Sequence, residues 1–520
     1  MKIKEFYILL VAFLLLSCAE NGIDAYTYQP PKKILNENPA SYYLDATSGD
    51  DANDGTSPEN AWKTLDKASG IKLKPGDALF FKKGEVFNGV LEISAEGTKE
   101  QPIVIDSYGE GDSKPSIQGN INSIYAVRIY NSTYVTIQNI EIVNQGTELA
   151  GRSGLKVECV DYGISRGMIL RNLTVRDVTS TFYKPDYGGA ILFINKGNVK
   201  KSRYENLLIE GCHIKDCQRN GIFWGGSGGT YCNRKNWYPS KNVIIRNNLI
   251  EGVPGDGILP IGCDGVLIEY NVMRDGKFLP NKGAAAGIWP WSCDNVVIQF
   301  NDVSGHQADA DGQAYDSDFN CTNTIIQYNY SHDNYGGFVL ICDDPTATYV
   351  NSIGIIDTEI RYNISINDGI NPRAGVNPTS IQFFGCPEEA LLEYNIIHAS
   401  PTPDHGKSHS MIRISGGEKA AINPTFRKNI FYAPIESSFS LGSKPTIFEN
   451  NWFLGSFKNK PEDMGASNSS DYYQKNVVDV DPKGYQALYK LMEKRMVGGK
   501  EHYFVKKEAI EAFFAEMEKK

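Results

Sequence analysis

The sequence predicts an all-β fold, a parallel solenoid of stacked coils, on three observations. A period-2 strand that ends in Asn recurs along the chain: Ile245-Arg246-Asn247-Asn248, Ile268-Glu269-Tyr270-Asn271, Ile298-Gln299-Phe300-Asn301, Ile326-Gln327-Tyr328-Asn329, Ile360-Arg361-Tyr362-Asn363, Leu392-Glu393-Tyr394-Asn395, Phe426-Arg427-Lys428-Asn429 and Phe448-Glu449-Asn450-Asn451, with degenerate copies at Ile137, Leu170 and Ile209. The copies are spaced by 22 to 39 residues, with a mean of about 31. A fixed minimum with variable excess suits a coil carrying loops on one edge, whereas propeller blades would keep a constant length. No helical periodicity separates the copies, which excludes helical solenoids and strand-helix leucine-rich repeats. A unit this small cannot bury its strands alone, so rungs about 4.8 Å apart share one interior and set like residues above like.

The chain has 520 residues, 41% hydrophobic and 22% charged, enough for a sizeable core and too rich in aromatics for disorder. Its 52 Lys+Arg against 62 Asp+Glu give a net charge of −10, which opposes non-specific binding to nucleic acid or to an anionic membrane. At the N-terminus, Lys2 and Lys4 precede the apolar run 8–16, which is too short to span a bilayer and has the form of a signal h-region. It ends in Leu15-Leu16-Ser17-Cys18, which resembles the bacterial lipoprotein box. That resemblance implies a signal peptide over 1–17, lipidation of Cys18, and anchoring to the outer membrane on its periplasmic or cell-surface side; the other reading is an ordinary secretory signal. Residues 18–41, with Pro30, Pro31 and Pro39, read as a flexible tether.

The folded body is expected over 42–475. It opens with the strand Tyr42-Tyr43-Leu44 and a polar run through Asp50, Asp51 and Asp54. A short capping helix follows, with Ser57 as N-cap, Pro58 at its first position and Ala61, Leu65 and Ala68 on one face. Leu73-Lys74-Pro75-Gly76-Asp77 is a turn, and 78–81 and 101–105 are strands. Within the repeats the Asn residues are expected to stack at a bend, each amide bonding backbone that the turn leaves unpaired. Cys263, Cys293, Cys321, Cys342 and Cys386 recur at matching places, as stacked interior thiols or, in an oxidising compartment, as disulfides; Cys212 and Cys217 can bridge across a turn. In the tail, Tyr485, Leu488 and Leu491 or Met492, then Ile510, Phe513, Phe514 and Met517, recur at helical spacing around a break at Gly498-Gly499. Residues 476–520 are read as a helical C-terminal cap over the last rung.

The opening blocks, Asn53-Asp54-Gly55-Thr56, Trp62-Lys63-Thr64-Leu65, Lys74-Pro75-Gly76-Asp77 and Gln101-Pro102-Ile103-Val104-Ile105, resemble those of secreted right-handed parallel β-helix proteins of the pectate-lyase superfamily. The resemblance covers roughly 42–455 and implies that fold. Because the superfamily holds lyases, glycoside hydrolases and epimerases, it does not select a reaction. The stretch 311–318 followed by 327–334 resembles a block frequent in β-helix glycosidases.

Aligned on the cysteines, 258–261, 288–291, 315–318 and 338–341 fall on successive rungs. Trp289 and Trp291 then share one face, as do Asp316 and Asp318. Indoles beside carboxylates suit a glycan cleft, since sugars offer C–H faces to one and hydroxyls to the other. The competing reading puts the tryptophans in the interior and the aspartates on turns or a cation. Asp316 and Asp318 are the expected catalytic pair of a glycoside hydrolase, with Asp311 in reserve; substrate contacts are expected from His306, Asp256, Asp343 and His332. Residues i and i+2 of a strand lie about 6.5–7 Å apart, which favours inversion. No cofactor is required on this reading; Ca²⁺ at Asp309 and Asp311, or at Asp50, Asp51 and Asp54, is the competing role for those carboxylates. Two other classes stay open. A Ca²⁺-assisted polysaccharide lyase would use Lys184, Arg219 or Lys282 as base, although no basic cluster is expected beside the acidic face. A non-catalytic surface glycan-binding protein is the third. A poly- or oligosaccharide is the expected partner of a monomeric chain.

Overall fold

In the computed structural model, residues 35–186, 188–225, 232–343, 350–372, 379–399, 409–465 and 471–519 are described. From Asn38 onward they form one compact unit. Each coil contributes strands to three parallel sheets. Sheet 1 runs from Ser41–Leu44 through the repeat strands to Ile447–Glu449. Sheet 2 holds the short strands that follow the Asn bend, such as Leu249–Glu251, Val272–Arg274 and Ile364–Ile366. Sheet 3 runs from Leu91–Ile93 through Ser153–Val160 and Gln313–Asp318 to His409–Ile414. The chain is a right-handed parallel β-helix, as its sequence predicts.

The repeat signature has a physical cause at the bend between sheets 1 and 2. The backbone N–H of each anchor Asn donates to the side-chain oxygen of the next: Asn271 to Asn301, Asn301 to Asn329 and Asn429 to Asn451, each at 2.9 Å. Each amide Nδ2 also donates to a carbonyl one coil back, as Asn301 does to Ile268 at 3.0 Å. These groups are buried, so the ladder satisfies backbone that no sheet could reach. Cys212 opens it by donating to Asn248, and Asp463 closes it by accepting from Asn451. The residue before each Asn turns the chain with φ near +54°, as at Tyr270, Tyr328 and Tyr394. In register, those rings stack: Tyr270, Phe300, Tyr328, Tyr362 and Tyr394 lie 5.1, 5.2, 5.4 and 4.8 Å apart in turn.

Four expectations are corrected. The thiol ladder holds Cys263, Cys293 and Cys321 alone: the first two N–H groups point at the following sulfur, and Ile355 takes the next place. Cys342 lies one corner earlier, beside Asp318, because an insertion separates it from the strand Ile355–Arg361; Cys386 follows strand Thr379–Phe384. Cys212 and Cys217 are free thiols at either end of strand His213–Lys215, which holds them apart. The N-terminal helix is split: Ser57 caps the 3-10 turn Pro58–Asn60, and Thr64 caps a separate helix, Leu65–Ser69.

The C-terminal segment is the fourth correction. It begins at Asp471, and Gly498-Gly499 is the turn of an antiparallel hairpin, Met492–Val497 with Lys500–Val505. Helical turns at Tyr485–Leu488 and Tyr489–Leu491 precede it and a helix at Lys507–Glu518 follows it, both where the spacing predicts. The segment lies along the flank of sheet 2 and reaches Trp452 and Leu454 of the last coil. Val497 and Phe504 pack on Leu249 and Val272, while Ile510, Phe513 and Phe514 join Ile364, Ile396, Ile430 and Trp452. The outward positions of sheet 2 are apolar over many coils, and that stripe is what an amphipathic tail can bury. At the other strand of the last rung, Asp463 accepts from Asn450 and Asn451, and Met464 pairs with Glu449.

Candidate active site

Sheet 3 positions the site. Ile258, Ile288 and Tyr315 pair in succession, and Ile261 pairs with Trp291. Ile288 and Tyr315 are fully buried; the Tyr315 hydroxyl donates to the carbonyls of Asn301 and Tyr330. Alternation therefore turns Trp289 and Trp291 outward on one strand and Asp316 and Asp318 outward on the next. The expected juxtaposition of indoles and carboxylates is present. The fourth rung is shifted by one residue from expectation, since Tyr315 pairs with Val339 and Asp318 with Cys342.

Loops close over this face. Asp256 is fully buried, and its Oδ1 accepts from the Trp289 indole at 3.1 Å and from Ala286 N at 3.4 Å. Its Oδ2 lies 3.9 Å from Lys184 Nζ and 3.8 Å from Arg219 Nη2. Lys184 Nζ stands 4.7 Å from the centre of the Trp289 ring. Two cations thus accompany the acidic face, contrary to the expectation that none would. The pair is distant in sequence from Asp256, but Pro254-Gly255-Asp256-Gly257 carries a local signal. A Cβ at Gly255 would fall 2.1 Å from the Arg219 carbonyl oxygen, so only glycine admits that approach.

The acids differ in access. Asp316 is 4% exposed and its Oδ1 has no hydrogen-bond partner among the described residues. Burial, then the charges of Asp318 and Asp311, hold its carboxyl well above the usual range, against the pull of Lys184. Asp318 is partly exposed and accepts from Phe319 N at 2.8 Å. Enclosure of its carboxyl is the main reason that it is pushed up to about 7, opposed by the Phe319 N–H and by Lys184. Asp311, exposed as a residue at the end of strand Ala308–Asp311, is also raised, mainly by dehydration of its carboxyl, against the pull of Lys184 and with a further push from Asp256.

The remaining expected residues divide. Trp289 is 5% exposed beneath Lys184 and offers little platform, whereas Trp291 is partly exposed, edge-on to Phe319, with an indole N–H lacking a partner among the described residues. His306 is fully buried; its Nε2 faces the Gly255 carbonyl at 2.9 Å, and burial lowers its pKa, so it braces the loop of Asp256 and cannot reach a substrate. His332 lies on sheet 2 between Asp302 and Asp333 and under Tyr485, which removes it from the site. Asp343 faces a separate cavity of about 310 Å³ and accepts from the Cys386 thiol. The two histidines are displaced for one reason: sequence adjacency to a bend does not say which sheet a side chain serves. Asp50, Asp51 and Asp54 accept from the N–H groups of Ala52, Lys63, Thr64 and Thr56 and so stabilise turns. Cys18 and the side chains of Lys282 and Asp309 lie outside the described residues.

Fold and site together define a right-handed β-helix protein with a carboxylate cluster and indoles on an outward sheet face. The family described as right handed beta helix region matches residues 190–368. The chain is 29% identical over 423 residues to lacto-N-biosidase of Bifidobacterium longum subsp. longum, a match that covers 63% of this chain and 26% of that protein. It is similar to the crystal structures of GH136 lacto-N-biosidase from Eubacterium ramulus, with a TM-score of 0.60 and 26% identity, covering 80% of this chain and 68% of that one. Its similarity is thus to glycoside hydrolases, and the matched part spans about a quarter of the curated relative's length.

Proposed function

We propose that this chain is a glycoside hydrolase acting on a glycan that ends in lacto-N-biose, with its acid and base drawn from Asp318 and Asp311. The observation that carries the reading is Asp318 itself: a partly exposed residue in register with Trp291, its carboxyl raised to about 7. Glycoside hydrolysis needs one protonated carboxyl to assist the leaving oxygen and one carboxylate facing the anomeric carbon or its water. Asp318 holds a proton near neutrality and suits the first role. Asp311, the most accessible of the three, suits the second. Asp316 is the most buried of the three; its burial favours the neutral form, which leaves the division of roles to the two more exposed acids. Trp291 offers an apolar ring to the sugar, and Asp256 holds Trp289 and Lys184 in place behind it. Similarity to the lacto-N-biosidases supports the choice of hydrolysis and of substrate.

The test is release of p-nitrophenol from p-nitrophenyl lacto-N-bioside by the protein and by Asp318→Asn, Asp311→Asn and Asp316→Asn variants. Loss is expected for the first two, and a smaller effect for the third. Turnover that survives Asp318→Asn would refute the assignment. The i, i+2 separation that favours inversion is that of Asp316 and Asp318, and it does not extend to Asp318 and Asp311. The anomer first released, read by proton NMR, separates attack by water from attack by a carboxylate. No cation takes part in this scheme, so chelation is expected to leave the rate unchanged.

A second reading, β-elimination from a uronate polymer, is favoured by one observation, the position of Lys184 against the acidic cluster. An absorbance rise near 235 nm on a uronate polymer, lost in Lys184→Ala, would select it; Arg219 is too enclosed to serve as base. Lipid anchoring through Cys18 belongs to the same proposal. It predicts palmitate labelling of the full chain in a bacterial host, abolished by Cys18→Ala.

A further inference from the structure

A cavity of about 840 Å³ lies apart from the carboxylates. It opens at the corner where sheet 3 passes into sheet 1, and Tyr134, Tyr162 and Tyr238 line it. Each ring is held in place by something different. The Tyr134 ring lies so close to the backbone that a Cβ at Gly167 would come within 2.4 Å of it. The Tyr162 hydroxyl donates to Glu96 at 2.8 Å. The Tyr238 ring is faced by the Arg203 guanidinium at 4.5 Å. One wall is fixed as well, because Asp161 accepts the backbone N–H groups of Val199 and Lys200 at 2.7 and 3.0 Å. All three rings keep part of their surface exposed.

Preorganised aromatic faces among hydrogen-bonding side chains bind ligands that are apolar on one side and polar at the rim, because little rotamer freedom is lost on binding. Glu96 and Asp161 alternate with Arg166, Lys200 and Lys201 around the opening, and this mixture of signs suits an uncharged ligand better than a polyanion. Position selects the ligand further. Asp318 closes its sheet 3 strand at the same corner of the solenoid, and the cavity lies three to seven strands away along the axis, about 14–34 Å at the parallel rung spacing. A chain of sugars lying along that edge would meet both places.

We propose that this corner is a second, non-catalytic binding site for an uncharged oligosaccharide, distinct from the carboxylates. It needs no turnover, so it stands whether or not the acids on sheet 3 cleave a glycan. The test is calorimetric titration of the full chain, carrying Asp318→Asn to prevent cleavage, with xylohexaose, cellohexaose and a linear N-acetyllactosamine hexasaccharide. At least one probe is expected to bind. Tyr162→Ala with Tyr238→Ala should weaken that binding at least tenfold, a larger loss than Trp291→Ala causes. Lys200→Ala, an exposed rim change that spares the fold, should weaken it by two- to fivefold. No binding of any probe would overturn the proposal, as would binding that tracks Trp291 and ignores the tyrosines and Lys200.

Discussion

Sheets 2 and 3 are built from the same coils, yet their outward faces have opposite fates. Sheet 2 presents Ile364, Ile366, Ile396, Ile430 and Trp452, and the C-terminal hairpin and helix bury them. Sheet 3 presents Trp289, Trp291, Asp316 and Asp318, and it receives loops in place of a packed segment. Its carboxyls are partly dehydrated without being neutralised, and that raises their proton affinity. In a solenoid the interior supplies stability on every side, so one outer flank can be given to packing while another carries charges that cost stability.

The largest expected effect falls on sheet 3. Asp318→Asn should lower kcat by about 10²–10⁴-fold, the usual worth of a positioned proton donor, with no loss of thermal stability, since a crowded acid is removed. A loss of fold in that variant would place the acid among the structural groups, as on sheet 2. The converse variant is Phe514→Ala, which removes a ring packed edge-on against Tyr362 and Tyr394. It should cost about 3–5 kcal/mol in denaturant unfolding and increase dye binding to exposed apolar surface, with kcat retained. Reduced kcat at full occupancy of the fold would show that the two flanks communicate.

The pH dependence of stability separates the flanks further. Asp318 rises from an ordinary 3.8 to about 7, so the folded chain holds a proton that the unfolded chain lacks between those values. Its contribution is complete below about 4 and is lost as pH climbs to about 7. His332, charged between Asp302 and Asp333, rises from 6.5 to about 10, and its contribution is complete below 6.5 and lost as pH climbs to about 10. Each is worth at most about 1.4 kcal/mol per pH unit. Urea midpoints across pH 4–10 should show the lower slope reduced by Asp318→Asn and the upper by His332→Gln. A slope that ignores its substitution would remove that group from the comparison. The smallest effect is expected from Trp291→Ala, a KM higher by about two- to tenfold with kcat nearly unchanged. A change confined to kcat would make Trp291 part of the chemistry and not of the binding surface.

Much of the fold was legible because the Asn ladder, its bend and its aromatic stack are each set by a few adjacent residues. The register of Trp289 with Asp316 was legible for the same reason, because Cys263, Cys293 and Cys321 mark equal places in consecutive coils. It failed one coil later, where an insertion moved Cys342 ahead of the corner. His306 and His332 were misplaced because a bend position does not reveal whether the ring turns inward, outward or under another segment. The tail was legible in part: 485–491 is helical as its spacing predicts, but Met492 opens a strand, since pairing with Lys500–Val505 and packing on sheet 2 outweigh local periodicity there.

What the amino-acid order determined alone is the coil: a period-2 strand, a left-handed residue and an Asn whose amide serves the next turn, all local choices repeated. What only the folded chain decided is the company the acids keep. Lys184, Arg219 and Asp256 come from three different coils, and the proton affinity of Asp318 follows from how many groups surround it. Burial and Coulomb energy depend on distances through space, which loops of unequal length set and which no local pattern encodes.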